Sequence, residues 1–436
     1  MIRTITFIQL AINFATRSHL QSKASKAIKP YSEAILSLLL MLSTTGASAV
    51  QSNDWTKQIQ SHGFATQGLI FTTDNNFYGD SDHGSANFTE LGINASAQLS
   101  PRVRLAGQLL SRHAGNMDNG SPRVDYALLD ISLLSSSQRN LGLYLGRVKS
   151  PLGLYNETRD IGHTRASVFT QQVIYFDKVR DLTMSADGIH FYGEYFLTSG
   201  TLLIQAGIGY PIPDDNAEYT FLGDNWAGHL EANQLASVGR IMYEHDGGRW
   251  ILALSGASLE LDFKAGATDP ISSGKLEIDY TILSAQFNGE KWQLTAEGAI
   301  QKSNFIGLGG VFSDADIKPQ GLTLEAKYRF SSKWQAFIRS ETFYLDREDK
   351  YGHLAAEKLQ LISNTSYGGL LPIDPSYNRY SKAWIVGGRW DINNNLMVAA
   401  DYHIIKGGAI LSAQDNDINT TKKYWDMFAV SISYRF

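Results

Sequence analysis

The feature that most narrows the fold is a rhythm in the connections. From His62 to the last residue, short runs of period-two hydropathy follow one another. They are joined alternately by tight turns and by long polar loops. The turns are Ser100-Pro101, Ser136–Asn140, Thr198-Ser199-Gly200, Asp246-Gly247-Gly248, Asn288-Gly289-Glu290, Ser331-Ser332 and Asn393–Asn395. A soluble β-sandwich has no reason to gather its long loops at one end. A barrel threaded through a bilayer does, with short turns on one side and long loops on the other. The runs number about sixteen, an even count, and each is long enough to cross hydrocarbon when tilted. The expected class is all-β: a transmembrane antiparallel β-barrel with short periplasmic turns and long extracellular loops.

The faces can be read from parity. Leu322, Leu324, Ala326, Tyr328 and Phe330 alternate with Thr323, Glu325, Lys327 and Arg329. Ala336 and Ile338 alternate with Arg339 and Glu341, and Val103, Leu105 and Leu109 with Arg104, Gln108 and Arg112. Lipid rejects the charged face, so it should point inward. Unpaired buried charge is too costly for a dry core, so the interior is expected to be wet. Arg249-Trp250, Lys291-Trp292 and Lys333-Trp334 each open a run directly after a turn. That pairing suits a membrane interface, where indoles sit at headgroup depth and cations snorkel outward.

The two ends agree with export. Arg3, Arg17, Lys23, Lys26 and Lys29 precede an apolar run from Ala34 to Leu42, and Ala47 and Ala49 stand in A-x-A register before Val50. Residues 1–49 are therefore expected to be a signal peptide and 50–436 the barrel. Removing the leader would take the formal net charge from −5 to about −9, a poor balance for binding nucleic acid. Cysteine is absent, which excludes a disulfide scaffold and thiolate metal sites. At the other end, Phe428, Val430, Ile432, Tyr434 and Phe436 form a half-buried strand that finishes on an aromatic residue. It resembles the closing strand of Gram-negative outer-membrane barrels, in which the terminal aromatic, here Phe436, is part of the assembly signal.

One stretch breaks the rhythm. Residues 149–186 join the fifth and sixth strands as the third long loop, rich in both charge signs and in aromatics. The overall architecture resembles that of Gram-negative general porins, trimeric diffusion channels whose third long loop folds inward to narrow the pore. The run Gly146–Leu154 (GRVKSPLGL) is also similar to the strand-to-loop junction of phosphate-selective porin-like families. The resemblance implies passive diffusion of small hydrophilic solutes or ions through a water-filled channel in the outer membrane of a Gram-negative bacterium. It also implies a homotrimer, contact with lipid and lipopolysaccharide, and handling by the barrel assembly machinery. The constriction would use Lys149, Glu157, Arg159, Asp160, Arg165, Asp177, Lys178, Arg180 and Asp181. It would face the wall residues Arg104, Arg112, Arg147, Lys327, Arg329, Arg339 and Glu341. General porins oppose acidic loop residues to wall arginines. This loop carries both signs, so no simple charge preference is expected.

Two other readings stay open. Tyr155, Phe169, Tyr175 and Phe176 could form a stacking slide in a channel selective for oligosaccharides or anions. Alternatively, the long outer loops, 346–380 above all, could serve a non-conducting adhesin or receptor. Hydrolase, phosphate-loop and dinucleotide motifs are missing, and His190, His245 and His403 are scattered, so neither an enzyme nor a cofactor or metal is expected.

Overall fold

The computed structural model describes residues 59–223, 226–312, 315–366 and 374–436; the leader 1–49 and the first barrel residues 50–58 lie outside them. Among the described residues, eighteen strands form one sheet. They are β1 Ile59–Thr72, β2 Ser85–Ser100, β3 Val103–Ala114, β4 Asp118–Ser135, β5 Arg139–Lys149, β6 Ser185–Leu197, β7 Gly200–Pro211, β8 His229–Glu231 and β9 Ala236–His245. Then come β10 Trp250–Lys264, β11 Gly274–Asn288, β12 Trp292–Ile306, β13 Asp316–Ile317, β14 Gln320–Arg329, β15 Trp334–Tyr344, β16 Tyr380–Asp391, β17 Leu396–Lys406 and β18 Tyr424–Arg435. The stubs β8 and β13 extend loop hairpins onto β10 and β12, so the barrel itself has sixteen long strands.

Every pairing is antiparallel, and β1 pairs with β18 in register Phe64↔Arg435 through Thr72↔Met427, which closes the ring. Gly63 and Phe436 exchange two backbone hydrogen bonds at 3.0 Å across that seam. Closure leaves the membrane no unpaired edge, the condition for a sheet to stand in hydrocarbon.

The outer face is a belt of apolar side chains. Leu105, Leu252, Leu283, Leu324, Ile338 and Ile404 are about half exposed, while their inner neighbours Gln108, Ser255, Ser284, Thr323, Arg339 and His403 are buried. At the short-turn end, ring pairs follow the β10–β16 arc of the barrel: Trp250–Phe287, Trp292–Tyr328 and Trp334–Trp390 have centroids 4.6, 4.7 and 5.2 Å apart. The expected interface girdle is therefore present in outline.

Among the described residues, three α-helices lie in the long loops: α1 Arg180–Met184, α2 Asp215–Leu222 and α3 His353–Ser366. Asp214 caps α2 by accepting from the Ala217 amide at 3.0 Å.

Candidate pore constriction

The third long loop does fold into the barrel. Its neck is pinched where the Ser150 amide donates to the Met184 carbonyl at 2.9 Å, and the Asn156 amide group donates to the carbonyls of Ser150 and Thr183. From there the segment crosses the lumen and is tied to the wall on several sides. Arg240 on β9 donates to the Gly153 carbonyl at 2.9 Å and to Glu157 at 2.6 Å. Tyr280 on β11 donates to the Ile174 carbonyl. Glu297 on β12 accepts from the Tyr175 hydroxyl and the Leu154 amide. Arg339 on β15 donates to Ser167 Oγ, Arg389 on β16 to the carbonyls of His163 and Arg165, and the Val168 amide to Asp401 on β17.

Two glycines permit the close approaches. Gly153 adopts φ +56, and an added Cβ there would meet the Tyr175 hydroxyl and Glu297. Gly162 lies so tightly on Ser433 and Thr66, across the closing seam, that a side chain has no room.

The charges of the segment are not displayed to a channel; most are paired. Asp177 accepts from Arg112 at 3.0 Å, Arg159 at 2.7 Å, Arg180 at 3.4 Å and the Tyr78 hydroxyl. Asp160, fully buried, meets Lys149 at 2.6 Å and Arg180. Lys149 also reaches Asp125 at 2.8 Å. Glu90 faces Arg112 and Arg165 at 3.4 and 3.3 Å. Asp118 joins Arg112 and Arg123, and Arg123 continues to Asp181 at 2.9 Å. Arg112, Arg123, Lys149, Arg159, Arg165 and Arg180 thus oppose Glu90, Asp118, Asp125, Asp160, Asp177 and Asp181.

This is where the expectation of a wet interior fails. Equal numbers of opposite charges let one side of the lumen pack, because each desolvated ion finds a partner. Tyr78, from the first long loop, holds a left-handed φ of +57 with its ring 5.3 Å from the Arg112 guanidinium, a conformation the network sustains.

Burial alone would raise the Asp177 carboxyl, but the Arg112 and Arg159 guanidiniums outweigh it and hold the group at about 2. Burial pushes the Lys178 ammonium down to about 8. Burial, with Arg159 and Arg112 next, pushes Arg180 down to about 9, so both remain charged at neutral pH. Lys178 donates to the carbonyls of Ala409 and Leu411 in the last long loop.

The expected wall residues divide. Arg112 and Arg339 are buried inside, Arg339 between Glu325 at 2.6 Å and Glu341 at 3.4 Å. Lys327 pairs with Glu325 at 2.9 Å and lies 5.7 Å from the Tyr155 ring centroid. Arg104 lies inside toward the short-turn end, paired with Asp130 at 3.1 Å.

Three of the expectations are not met. Arg147 is on the outer face, where it holds Asp187 through two contacts of 2.8 Å. It continues the outward parity of Leu143 and Leu145, and Asp187 that of Ile189, which is 50% exposed. Arg329 sits at the exposed short-turn rim and donates to the Glu290 carbonyl, away from the constriction. The stacking slide is also absent as a row. Phe169 is buried in a cluster with Phe77, Tyr78 and Phe88 at 5.2–5.6 Å, and Tyr155 and Tyr175 spend their hydroxyls on the wall, at Gln286 and Glu297.

Sequence reading overlooked Glu90, Asp118, Asp125, Arg123 and Arg240. Inward parity could have marked Glu90 and Arg240, whose outer neighbours Leu91 and Ile241 are 45% and 54% exposed.

Below the neck a polar cavity of about 300 Å³ is lined by Asn94, Ser96, Arg104, Tyr126, Lys149, Glu157, His190 and Gln205, among others.

No family model matches the chain, and no curated protein matches it in sequence. Solved structures do match in fold. OprB of Pseudomonas putida aligns with a TM-score of 0.54 and 12% identity, covering 87% of this chain and 95% of its own. The anion-selective porin from Comamonas acidovorans aligns at 0.53 and 11%, over 87% and 99%. The trimer form of OmpT, an outer membrane protein of Vibrio cholerae, aligns at 0.50 and 10%, over 87% and 99%. The chain therefore has the sixteen-stranded barrel fold of outer-membrane porins.

Proposed function

We propose that the chain is an outer-membrane channel of the porin type, through which small hydrophilic solutes diffuse passively past an inward-folded third loop. Exported by residues 1–49, it works as a homotrimer, the form that the OmpT comparison names for that protein. The observation that carries the reading is a closed barrel with a charged inner face and a loop tethered across its lumen on both sides. The polar cavity below the neck offers a passing solute Arg104, Glu157, Asn94 and Gln205. The balance of six cations against six anions leaves little basis for strong ion selectivity, unlike the anion preference in the name of the Comamonas porin.

Planar-bilayer recording on purified, folded protein tests this. Discrete conductance steps with a reversal potential near zero in a salt gradient are expected. Folded protein that inserts without conducting overturns the reading and favours a receptor or adhesin.

A further inference from the structure

The lumen holds a second compartment with a different chemistry. On the β9–β15 side, above the neck, lies a cavity of about 890 Å³ roofed by residues of α2 and α3. Its size falls in the range of small-molecule sites. Its wall is apolar: Leu152, Ile174, Leu222, Ile278, Phe305 and Phe343 line it, none more than 8% exposed. Inner positions on β2–β4 carry Glu90, Gln108, Arg112 and Asp125, so an apolar wall is not a general property of this barrel's interior. A vestibule built only for hydrophilic solutes gains nothing from such a lining. At the mouth, Leu354 is 66% exposed, which extends the apolar surface toward water.

Two guanidiniums border the cavity. Arg159 lies on the neck side and Arg379 at the mouth, and in each the buried Nε lacks a hydrogen-bond partner. The mouth carboxylates are already engaged. Asp316 and Glu348 pair with Lys318, Asp346 accepts the amide of Glu348, Asp349 accepts the amides of His353 and Ala355, and Asp374 accepts from Asn378. Arg379 has no such anionic partner among the described residues. An apolar chamber with Arg379 and the exposed Lys358 of α3 at its mouth is complementary to an anionic amphiphile.

We infer that this cavity binds one amphiphilic small molecule, an alkyl or aromatic body with a single anionic head, its body against the apolar wall and its head at Arg379. Binding there is an equilibrium property and does not depend on whether the barrel conducts.

Isothermal titration of the full protein in lipid nanodiscs with decanoate, with empty nanodiscs subtracted, tests it. A saturable single-site signal is expected. Ala257→Trp, which fills the chamber from β10, should weaken binding at least tenfold. Ala355→Trp fills the same space from α3, outside the membrane strands, and serves if the first variant fails to fold. Arg379→Gln should weaken decanoate about tenfold and leave decanol unchanged. Heat no greater than that of empty discs, or binding that a folded chamber-filling variant leaves intact, overturns the site. Equal loss of decanoate and decanol in Arg379→Gln overturns the assignment of the head.

Discussion

The two flanks of the inward loop use opposite means to hold it. Toward β1–β5 it is clamped by ions: Asp160, Asp177 and Arg180, almost wholly removed from water, belong to one network of paired charges. Toward β9–β15 it is held by separate hydrogen bonds and a single ion pair, Tyr175 on Glu297, Tyr280 on the Ile174 carbonyl, Arg339 on Ser167 and Arg240 on Glu157, and it borders a void. Buried ion pairs specify position but fail badly when one partner goes, because the other charge is stranded. Apolar contacts degrade gradually. One loop thus has a rigid edge and a forgiving edge, and the difference can be tested.

The largest effect is expected from Asp177→Ala. It strands Arg159, takes one partner each from Arg112 and Arg180, and should cost about 3–5 kcal/mol. Limited proteolysis should then cut within residues 156–181, and mean channel conductance should rise. If the loop stays protected, the clamp is not what fixes it.

Acid is the milder version of the same insult. The folded-state value of Asp177 is depressed to about 2, so its contribution is complete above the ordinary carboxylate range and is lost as pH falls through about 2. The stability at stake is about 2–3 kcal/mol. Conductance and protease protection should hold steady down to about pH 4 and change below it. A transition centred near neutral pH would refute the assignment to Asp177.

On the forgiving edge, Tyr175→Phe removes a hydroxyl that donates to Glu297 and accepts the amides of Leu154 and Tyr155. A loss of about 1–2 kcal/mol is expected, without protease cleavage, measured as a lower thermal midpoint. The smallest effect should come from Arg147→Ala on the outer surface, within about 1 kcal/mol and silent in conductance. A selectivity change in that variant would place Arg147 back on the pore wall.

Much of this was legible in the sequence because strand periodicity is a local signal. All sixteen long strands were found in place to within a few residues, as was the loop that folds inward. The inward face of Lys327, Arg339 and Glu341 followed from alternation alone. The outward side of Arg147 is set by the parity of Leu143 and Leu145, against the inward expectation that its charge alone supports. The clamp could not be read, because its contacts join distant parts of the chain. Tyr78 meets Asp177 across 99 positions and Arg112 meets it across 65. The near-equal signs in the loop were visible, but they suggested weak selectivity when their first consequence is mutual neutralisation. The apolar chamber was equally hidden, since Leu222, Ile278 and Phe305 come from separate elements and converge only in the folded barrel.

The seam between β1 and β18 has a consequence for how errors are exposed. The hydrogen bonds that close the ring join residues 64–72 to 427–435, so the circle depends on both extremities of the barrel sequence. A product cut short anywhere before β18 can pair its internal hairpins and still present two raw edges to hydrocarbon, each a row of unsatisfied amides and carbonyls. Such a fragment cannot settle quietly in the membrane as a smaller version of the whole. The closing strand acts as a checksum: the sheet is stable in lipid only when its last segment has arrived and matched its first.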